Sequence, residues 1–426
     1  MNSEKVVDFL GQVALLLRLP SSSLRKIAAK VELRHYDAGD YVIRQGEKAD
    51  GIYFIWKGNA EVFESVESEE ASYPLKEYDY FGYGIGVSIN EVSVVSLSKL
   101  TCLVLPQEYF NLLQPNFIWN ADESPESLSI VEQTLRLEPI EVDIFRGYTV
   151  PGSPVFRQVF GGQFIGQALA AASKTVDCLK LAHSLHAYFI IAGDRNMPIV
   201  YHVHHLRDGK SFATRRVDAT QKGVVVFSLV ASFQKEEPGF EHQHAVMPLV
   251  PAPDVLLSME DLRDIKLTDP RVPITYRNNE ARSDFLPWPV EIRFCIPIEM
   301  ARKYRSEPSL MYWFRIRGKL SDDAALHRCA IAYASDFLFM SISLNPHRKK
   351  GLKIMCLSLD HSMWFHRDCR ADDWLLFVME SPSASRGRGF ATGRMFNRKG
   401  ELIVSLAQEG LVRKVAPPNR APPSKL

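Results

Sequence analysis

The chain has 426 residues, 46% hydrophobic and 24% charged, with Lys+Arg 51 against Asp+Glu 50. At roughly 100–200 residues per domain, that length implies two to four domains, most simply three; the ordinary composition excludes extended disorder and fibrous architectures. A formal net charge of +1 supplies no bulk field for nucleic acid or an anionic membrane, so neither is expected as a partner and an anionic ligand must be met by local cations. The best apolar runs, Gly223 to Phe233 and Leu185 to Gly193, are shorter than the roughly 20 residues a membrane-spanning helix needs. Six cysteines (Cys102, Cys178, Cys295, Cys329, Cys356, Cys369) form no CxxC pair and lie near no His cluster at ligand spacing. They read as mostly buried thiols, and neither a metal nor a cofactor is expected.

In chain order, Met1 to Leu10 carries Glu4, Lys5 and Asp8 among its apolar positions, which suits an amphipathic helix better than a cleaved leader. Helices are predicted over Ser3 to Leu17 and Leu24 to Lys30. From Val31 to Pro106, short β-rich runs alternate with turns: Val31 to His35, Tyr41 to Arg44, Gly51 to Trp56, Ala60 to Ser65 and Leu100 to Leu105, punctuated by Gly39, Gly46, Gly58 and Gly82. That rhythm predicts a small β-roll. Glu64 to Glu70 reads as a solvated hairpin tip, and a third helix is predicted to start near Gln107. The stretch from Gly39 to Glu47, followed by Tyr53 to Gly58, resembles the front half of a cyclic-nucleotide-binding domain. In that family a Phe-Gly-Glu cassette and an Arg hold the ribose and the cyclic phosphate. Here the cassette reads Phe81-Gly82-Tyr83, and no Arg occurs between Phe81 and Leu105. A buried phosphate lacking those partners is costly, so residues 1–115 are expected to keep the fold without binding cAMP or cGMP.

The rest of the chain contains an internal repeat. His183-Ser184-Leu185 recurs as His361-Ser362-Met363, and Phe212-Ala213-Thr214-Arg215-Arg216 as Phe390-Ala391-Thr392-Gly393-Arg394, both shifted by 178 residues; Lys222-Gly223 and Ser228-Leu229 recur with a shift of 177. Each copy reads as an Ala-rich helix, Gln163 to Lys174 or Ala324 to Ser341. Strands follow: Ala182 to Ile191, Pro198 to Arg207, Phe212 to Ala219 and Val224 to Gln234 in the first copy, and Leu352 to Ser358, Trp374 to Glu380, Ala391 to Asn397 and Leu402 to Val412 in the second. One long helix followed by an antiparallel meander implies a sheet wrapped around a helix, with two copies covering each other's edges. The predicted architecture is therefore α+β: a cyclic-nucleotide-binding-like β-roll over 1–115, a double hotdog with repeats at 128–240 and 285–415, and a tail at 416–426.

Paired glycines open the first Ala-rich helix at Gly161-Gly162. They serve either close packing around a buried helix or the presentation of helix-start N–H groups to a carbonyl or phosphate. In the second copy Gln408 stands where the first has Ala231, and Asp336 interrupts the apolar run from Ile331 to Met340, where a carboxylate is disfavoured. Ser358 lies on the predicted strand Ile354 to His361. Taken singly, Asp336 could equally cap a broken helix or pair with a buried Arg, Ser358 could be an ordinary strand residue, and Gln408 could satisfy an edge strand. The segments Val159 to Ala172, Leu206 to Phe212, Ala231 to Gln234, Asp360 to His366 and Val404 to Gly410 resemble the acyl-CoA thioesterase II family of double-hotdog enzymes. The resemblance implies that Asp336, Ser358 and Gln408 bind and orient a hydrolytic water, that the substrate is a fatty acyl-CoA, and that copies associate as a dimer or tetramer. With the front domain and the C-terminal signal, the whole resembles plant-type peroxisomal acyl-CoA hydrolases.

No GxSxG elbow surrounds Ser358, so a serine nucleophile is not expected. His183 and His361, repeated in both copies, are expected to share one structural bond, and Trp364, Phe365 and Phe390 read as core. Arg386-Gly387-Arg388 either meets CoA phosphates or forms a solvated loop. A hotdog hydratase and a cyclic-nucleotide-responsive acyl-CoA-binding protein are the alternatives. The first is disfavoured because His327 falls too early on its helix, the second by the altered cassette. The chain ends in Ser424-Lys425-Leu426 after a Pro-rich run from Ala416 to Pro423. That tripeptide is a peroxisomal address read by an import receptor, which places the protein in the peroxisomal matrix.

Overall fold

The computed structural model describes residues 3–16, 19, 21–64, 71–82, 89–113, 129–150, 158–177, 179–282, 288–295, 307–347 and 354–414. The hairpin tip beyond Glu64, Tyr83 of the cassette, Cys178 and the tail with Ser424-Lys425-Leu426 lie outside them. The chain divides into two compact units, Met1–Ser124 with Leu257–Pro287, and Pro125–Leu256 with Trp288–Leu426.

In the first unit, α1 (Ser3–Leu10) and α2 (Ser21–Ala28) precede β1 (Glu32–Tyr36), β2 (Tyr41–Ile43), β3 (Gly51–Lys57), β4 (Ala60–Glu64), β5 (Ala71–Leu75), β6 (Tyr80–Gly82), β7 (Ser93–Ser96) and β8 (Leu100–Pro106). They form two four-stranded sheets, β1-β8-β3-β6 and β2-β7-β4-β5. The unbroken apolar run of β3 is explained by burial on both faces. Ile52 and Phe54 join a core with Val6, Phe9 and Leu10 of α1, while Tyr53 and Ile55 alternate into the interior of the roll with Val62, Phe81 and Val104. The expected β-roll is therefore present. Three strands, β5, β6 and β7, were not read from sequence, and the stretch after Gln107 is a 3₁₀ turn (Gln107–Leu113).

Sequence patterning gave no role to the stretch between the repeats. It contains α5 (Met259–Thr268) and α6 (Ile274–Arg282), whose Leu267 and Ala281 enter the α1 core. Arg277, only 1% exposed, donates from Nη1 to the Tyr80 carbonyl at 2.6 Å, so a buried guanidinium satisfies a backbone acceptor of β6.

In the second unit, α3 (Ile130–Leu135), β9 (Glu138–Glu141) and β10 (Ile144–Gly147) lead to α4 (Gly161–Ser173), β11 (Lys180–Phe189), β12 (Ile199–Asp208), β13 (Phe212–Gln221) and β14 (Val224–Lys235). The second copy comprises β15 (Val290–Phe294), β16 (Ser309–Ile316), α7 (Ala324–Ala334), β17 (Ile354–Ser358), β18 (Asp360–Phe365), β19 (Leu375–Ser385), β20 (Arg388–Asn397) and β21 (Leu402–Lys414). All strands enter one 13-stranded sheet, ordered β15-β16-β19-β20-β21-β18-β11-β14-β13-β12-β10-β9, with β17 also on β21. The copies join where the repeated motif strands meet: β11 pairs with β18 antiparallel, from Ser184 opposite Trp364 to Tyr188 opposite Asp360. Each copy thus covers the edge the other leaves open.

The two central helices lie against each other. A Cβ on Gly162 would overlap the Tyr333 carbonyl oxygen, and one on Gly166 would approach the Cys329 oxygen at 3.1 Å. Those glycines are small because of helix-on-helix contact. The second helix is shorter than expected: α7 stops at Ala334 with Ser335 as its C-cap. The chain then turns through Leu338 at φ 60 into a 3₁₀ segment, Met340–His347. The apolar run hid this break. Tyr312 Oη donates to the Phe337 carbonyl at 3.0 Å, and Ser335 Oγ donates to the Ala332 carbonyl at 2.8 Å; both bonds compete with helix continuation.

Gly162→Ala tests this packing. Helix propensity favours Ala by about 1 kcal/mol, but overlap with a backbone oxygen cannot be relieved by a rotamer change, and overpacking costs about 1–3 kcal/mol or more. Chemical unfolding of the variant is expected to report a net destabilisation, and unchanged or increased stability would contradict the helix contact.

Candidate active site

The break after α7 delivers Asp336 to the N-terminus of α4. That helix begins at Phe160 without any side-chain cap, so its first N–H groups lack intrahelical acceptors. The Gly162 N–H donates to the Asp336 carboxylate, making Asp336 a cap supplied by the other repeat. Gly161 is required here because its Cβ would lie 2.5 Å from Asp336 Oδ2 and 3.0 Å from Phe189 Cε1. The other carboxylate oxygen, Oδ1, accepts from Gln408 Nε2 at 2.8 Å. Gln408 is fully buried on β21, among the inward positions Val404, Leu406 and Gly410.

Burial dominates the electrostatics of the carboxylate. Desolvation raises the Asp336 pKa above the ordinary range, and the Gln408 and Gly162 hydrogen bonds pull it partly back. No cation among the described residues contributes, so the alternative of a buried Arg partner is not met there. The chain neighbours of the site are aromatic: Trp288 stacks on Phe337 at 4.8 Å, and Phe160 meets Trp288 and Tyr333 edge-on at 5.0 and 5.4 Å. Asp336 as a whole residue is intermediate in exposure, while its carboxyl group is taken out of bulk water.

Of the three residues read from sequence, the fold joins Asp336 and Gln408 directly. Asp336 is not on a helix, as its apolar surroundings suggested, but two residues beyond the end of one. Ser358 ends β17, opposite Gly410; it therefore projects from the same face as Gln408, two residues along β21. It makes no hydrogen bond with either partner among the described residues. The predicted strand from Ile354 to His361 is two strands broken at Leu359.

The repeated histidines do not share one bond. His183 sits in a bulge of β11 and meets Ser232 Oγ at 2.9 Å, whereas His361 is fully buried and meets Ser335 Oγ through Nε2 at 3.0 Å. Burial pushes the His361 pKa down to about 3, so the ring is neutral. His327 accepts from the Ala371 N–H at 3.0 Å and is structural. Phe365 is core at 7% exposure, but Trp364 and Phe390 are each 39% exposed. Hydrophobicity alone misread those two, because both lie on the outer face of the sheet. The Arg386-Gly387-Arg388 stretch forms the β19–β20 turn, where Arg388 pairs with Glu409 at 2.9 Å.

Comparison with known proteins places these features in context. Residues 151–234 match the acyl-CoA thioesterase N-terminal domain, 279–412 the acyl-CoA thioesterase C-terminal domain, and 33–114 the cyclic nucleotide-binding domain. The chain is 43% identical over 288 residues to acyl-coenzyme A thioesterase 8 of Rattus norvegicus, covering 67% of this chain and 89% of the relative. It is 26% identical over 335 residues to peroxisomal acyl-coenzyme A thioester hydrolase 1 of Saccharomyces cerevisiae, covering 68% and 96%. Among solved structures, acyl-CoA thioesterase II TesB2 from Mycobacterium marinum is similar, with a TM-score of 0.54 and 37% identity over 67% of this chain and 99% of that one.

The site predicts an unusual titration. Followed by carboxyl infrared or carbon NMR against Asp336→Asn, Asp336 is expected to ionise above the usual value of about 3.9. Gln408→Leu is expected to move it further up, since a donor to the anion is lost. An ordinary midpoint, or a downward shift in Gln408→Leu, would contradict the geometry.

Proposed function

The chain belongs to the acyl-CoA thioesterase II family and is an acyl-CoA hydrolase; from that premise we propose that it cleaves fatty acyl-CoA by direct attack of a water activated at Asp336 and oriented by Gln408 and Ser358. The observation that carries this reading is the Gln408–Asp336 hydrogen bond at the open start of α4. The carboxylate is a base strengthened by desolvation, as general-base catalysis requires.

The water oxygen forms a bond to the thioester carbon while its proton passes to Asp336. Gln408 holds Asp336 through one N–H and has a second to offer the water, and the Ser358 hydroxyl adds a contact from the same sheet face. The carbonyl oxygen becomes an oxyanion, for which we assign the Gly161 N–H in the first turn of α4 as donor. On collapse the carbon–sulfur bond breaks, and the proton on Asp336 goes to the departing CoA thiolate. Free fatty acid and CoA result, and no covalent acyl-enzyme forms. The aromatic group of Phe160, Trp288 and Phe337 is the apolar wall against which the reacting carbonyl is desolvated.

The front domain is proposed to bind no cyclic nucleotide, on the sequence of its cassette. Peroxisomal residence is supported by Ser424-Lys425-Leu426 and by the name of the yeast relative.

A panel of acyl-CoAs assayed by thiol release tests the mechanism. Asp336→Asn is expected to lower kcat by about 10³-fold, Gln408→Ala by about 10²-fold and Ser358→Ala by about tenfold, with rates unaffected by cAMP or cGMP. Near-normal turnover in Asp336→Asn would overturn the assignment, and stimulation by a cyclic nucleotide would overturn the reading of the front domain. A fluorescent fusion is expected to leave peroxisomes when its last three residues are removed; retention there would refute the targeting signal.

A further inference from the structure

A glutamine can present its amide either way round, and only one way serves this site. With Asp336 ionised, the NH2 end must face the carboxylate, because two oxygens would repel. Once Asp336 has taken the water's proton, that preference vanishes: a protonated carboxyl can donate to the amide oxygen as readily as the ionised one accepts from the amide nitrogen. Something at the far end of Gln408 must hold the amide through that stage of each turnover.

The sheet register supplies the candidate. Ser362 pairs with Ala407 and Met363 with Leu406, so one step back along β18 His361 stands across from Gln408, and both side chains are fully buried on the inward face. Directly opposed side chains lie within about 5.5 Å at Cβ. Two atoms of this pair, His361 Nδ1 and Gln408 Oε1, are buried without a hydrogen-bond partner among the described residues. The imidazole lies within interaction reach of Gln408, short of a full hydrogen bond. A donor and an acceptor left over on opposed buried residues complement each other, and leaving both unpaired is costly.

We infer that His361 is a positioning residue for the hydrolytic reaction, its Nδ1–H donating to Gln408 Oε1 so that the Gln408 amide keeps its NH2 towards Asp336 and the water throughout turnover. The inference rests on the assignment of Asp336 and Gln408 above. It also fixes the tautomer. If Nε2 carried the proton, a bare Nδ1 would confront a bare Oε1. With the proton on Nδ1, the Ser335 hydroxyl turns its one hydrogen from the Ala332 carbonyl to Nε2, 3.0 Å away, which anchors the ring to the residue preceding Asp336. The burial that keeps His361 neutral suits a fixed donor and not a proton carrier.

Two substitutions separate positioning from mere packing. The side-chain NH2 of Asn reaches the position of Nδ1, whereas that of Gln reaches the position of Nε2, so His361→Asn keeps the contact with Gln408 and His361→Gln keeps only the contact with Ser335. In the full-length enzyme, His361→Gln is expected to lower kcat by about 10- to 100-fold with KM within twofold, since a small misplacement of a catalytic group has effects of this size. His361→Asn is expected to rescue kcat to within about threefold of the parent. In a Gln408→Ala background, His361→Gln is expected to have no further effect on kcat. Retained kcat in His361→Gln, equal losses in both variants, or additive losses with Gln408→Ala would overturn the inference. Should His361→Gln fail to fold, His361→Asn decides alone, a loss beyond tenfold counting against it. If Asp336→Asn kept normal turnover, the underlying assignment would fail; if only the histidine variants behaved otherwise, this inference alone would.

Discussion

A carboxylate taken out of bulk water at the start of a helix is the constraint around which the second unit is organised. Burying Asp336 costs free energy unless its charge finds donors, and the fold provides two, the Gly162 N–H and the Gln408 amide. Each imposes conditions elsewhere. The first requires α4 to begin without a cap of its own and with glycines where any Cβ would strike Asp336 or the neighbouring helix. The second requires β21 to place an amide on its inward face, and α7 to end about two turns early so that Asp336 reaches both. Structural and chemical readings of these residues are therefore not rivals. Asp336 does cap a helix, and the same arrangement leaves it a desolvated base beside an oriented amide.

The internal repeat makes the asymmetry intelligible. Strands β11 and β18 meet as equivalents, and the two central helices are equivalents, but only the second copy carries Asp336, Gln408 and the inward His361. The first copy contributes its helix start, with the glycine pair and free N–H groups. One copy supplies the carboxylate and the other the helix start that receives it, so neither is sufficient for this arrangement. The residues joined here are far apart in sequence, and this explains why a chain of nearly neutral charge and average composition hides a polar site within an apolar interior.

Much of this was legible in the sequence, and the misses have physical causes. The β-roll and both hotdog copies followed from turn rhythm and from the 178-residue repeat, because period-2 alternation survives in long strands. The α7 break did not, because Phe337, Leu338 and Phe339 continue the apolar pattern while a tertiary bond from Tyr312 and a local one from Ser335 compete with the helix. Asp336 stood out as a polar residue in an apolar run, a signal that burial rules make strong, and Gln408 by standing where the first copy has Ala231. His361 gave no such signal: its repetition at His183 suggested a common structural bond, and only the strand register shows that it faces Gln408. Helices α5 and α6 were missed because their role in the first unit depends on contacts with α1 and β6, far away in sequence.

The central claim is that water attacks the thioester directly while Asp336 only accepts its proton. Single-turnover hydrolysis of a fatty acyl-CoA in ¹⁸O-water, with enzyme in excess, followed by mass spectrometry of the fatty acid and of the peptide containing Asp336, tests it most directly. The account predicts one ¹⁸O atom in the fatty acid and none in Asp336, with no acyl adduct trapped on acid quench. Label in the Asp336 carboxylate, or an acylated peptide, would mean that the carboxylate itself attacks and would contradict the account.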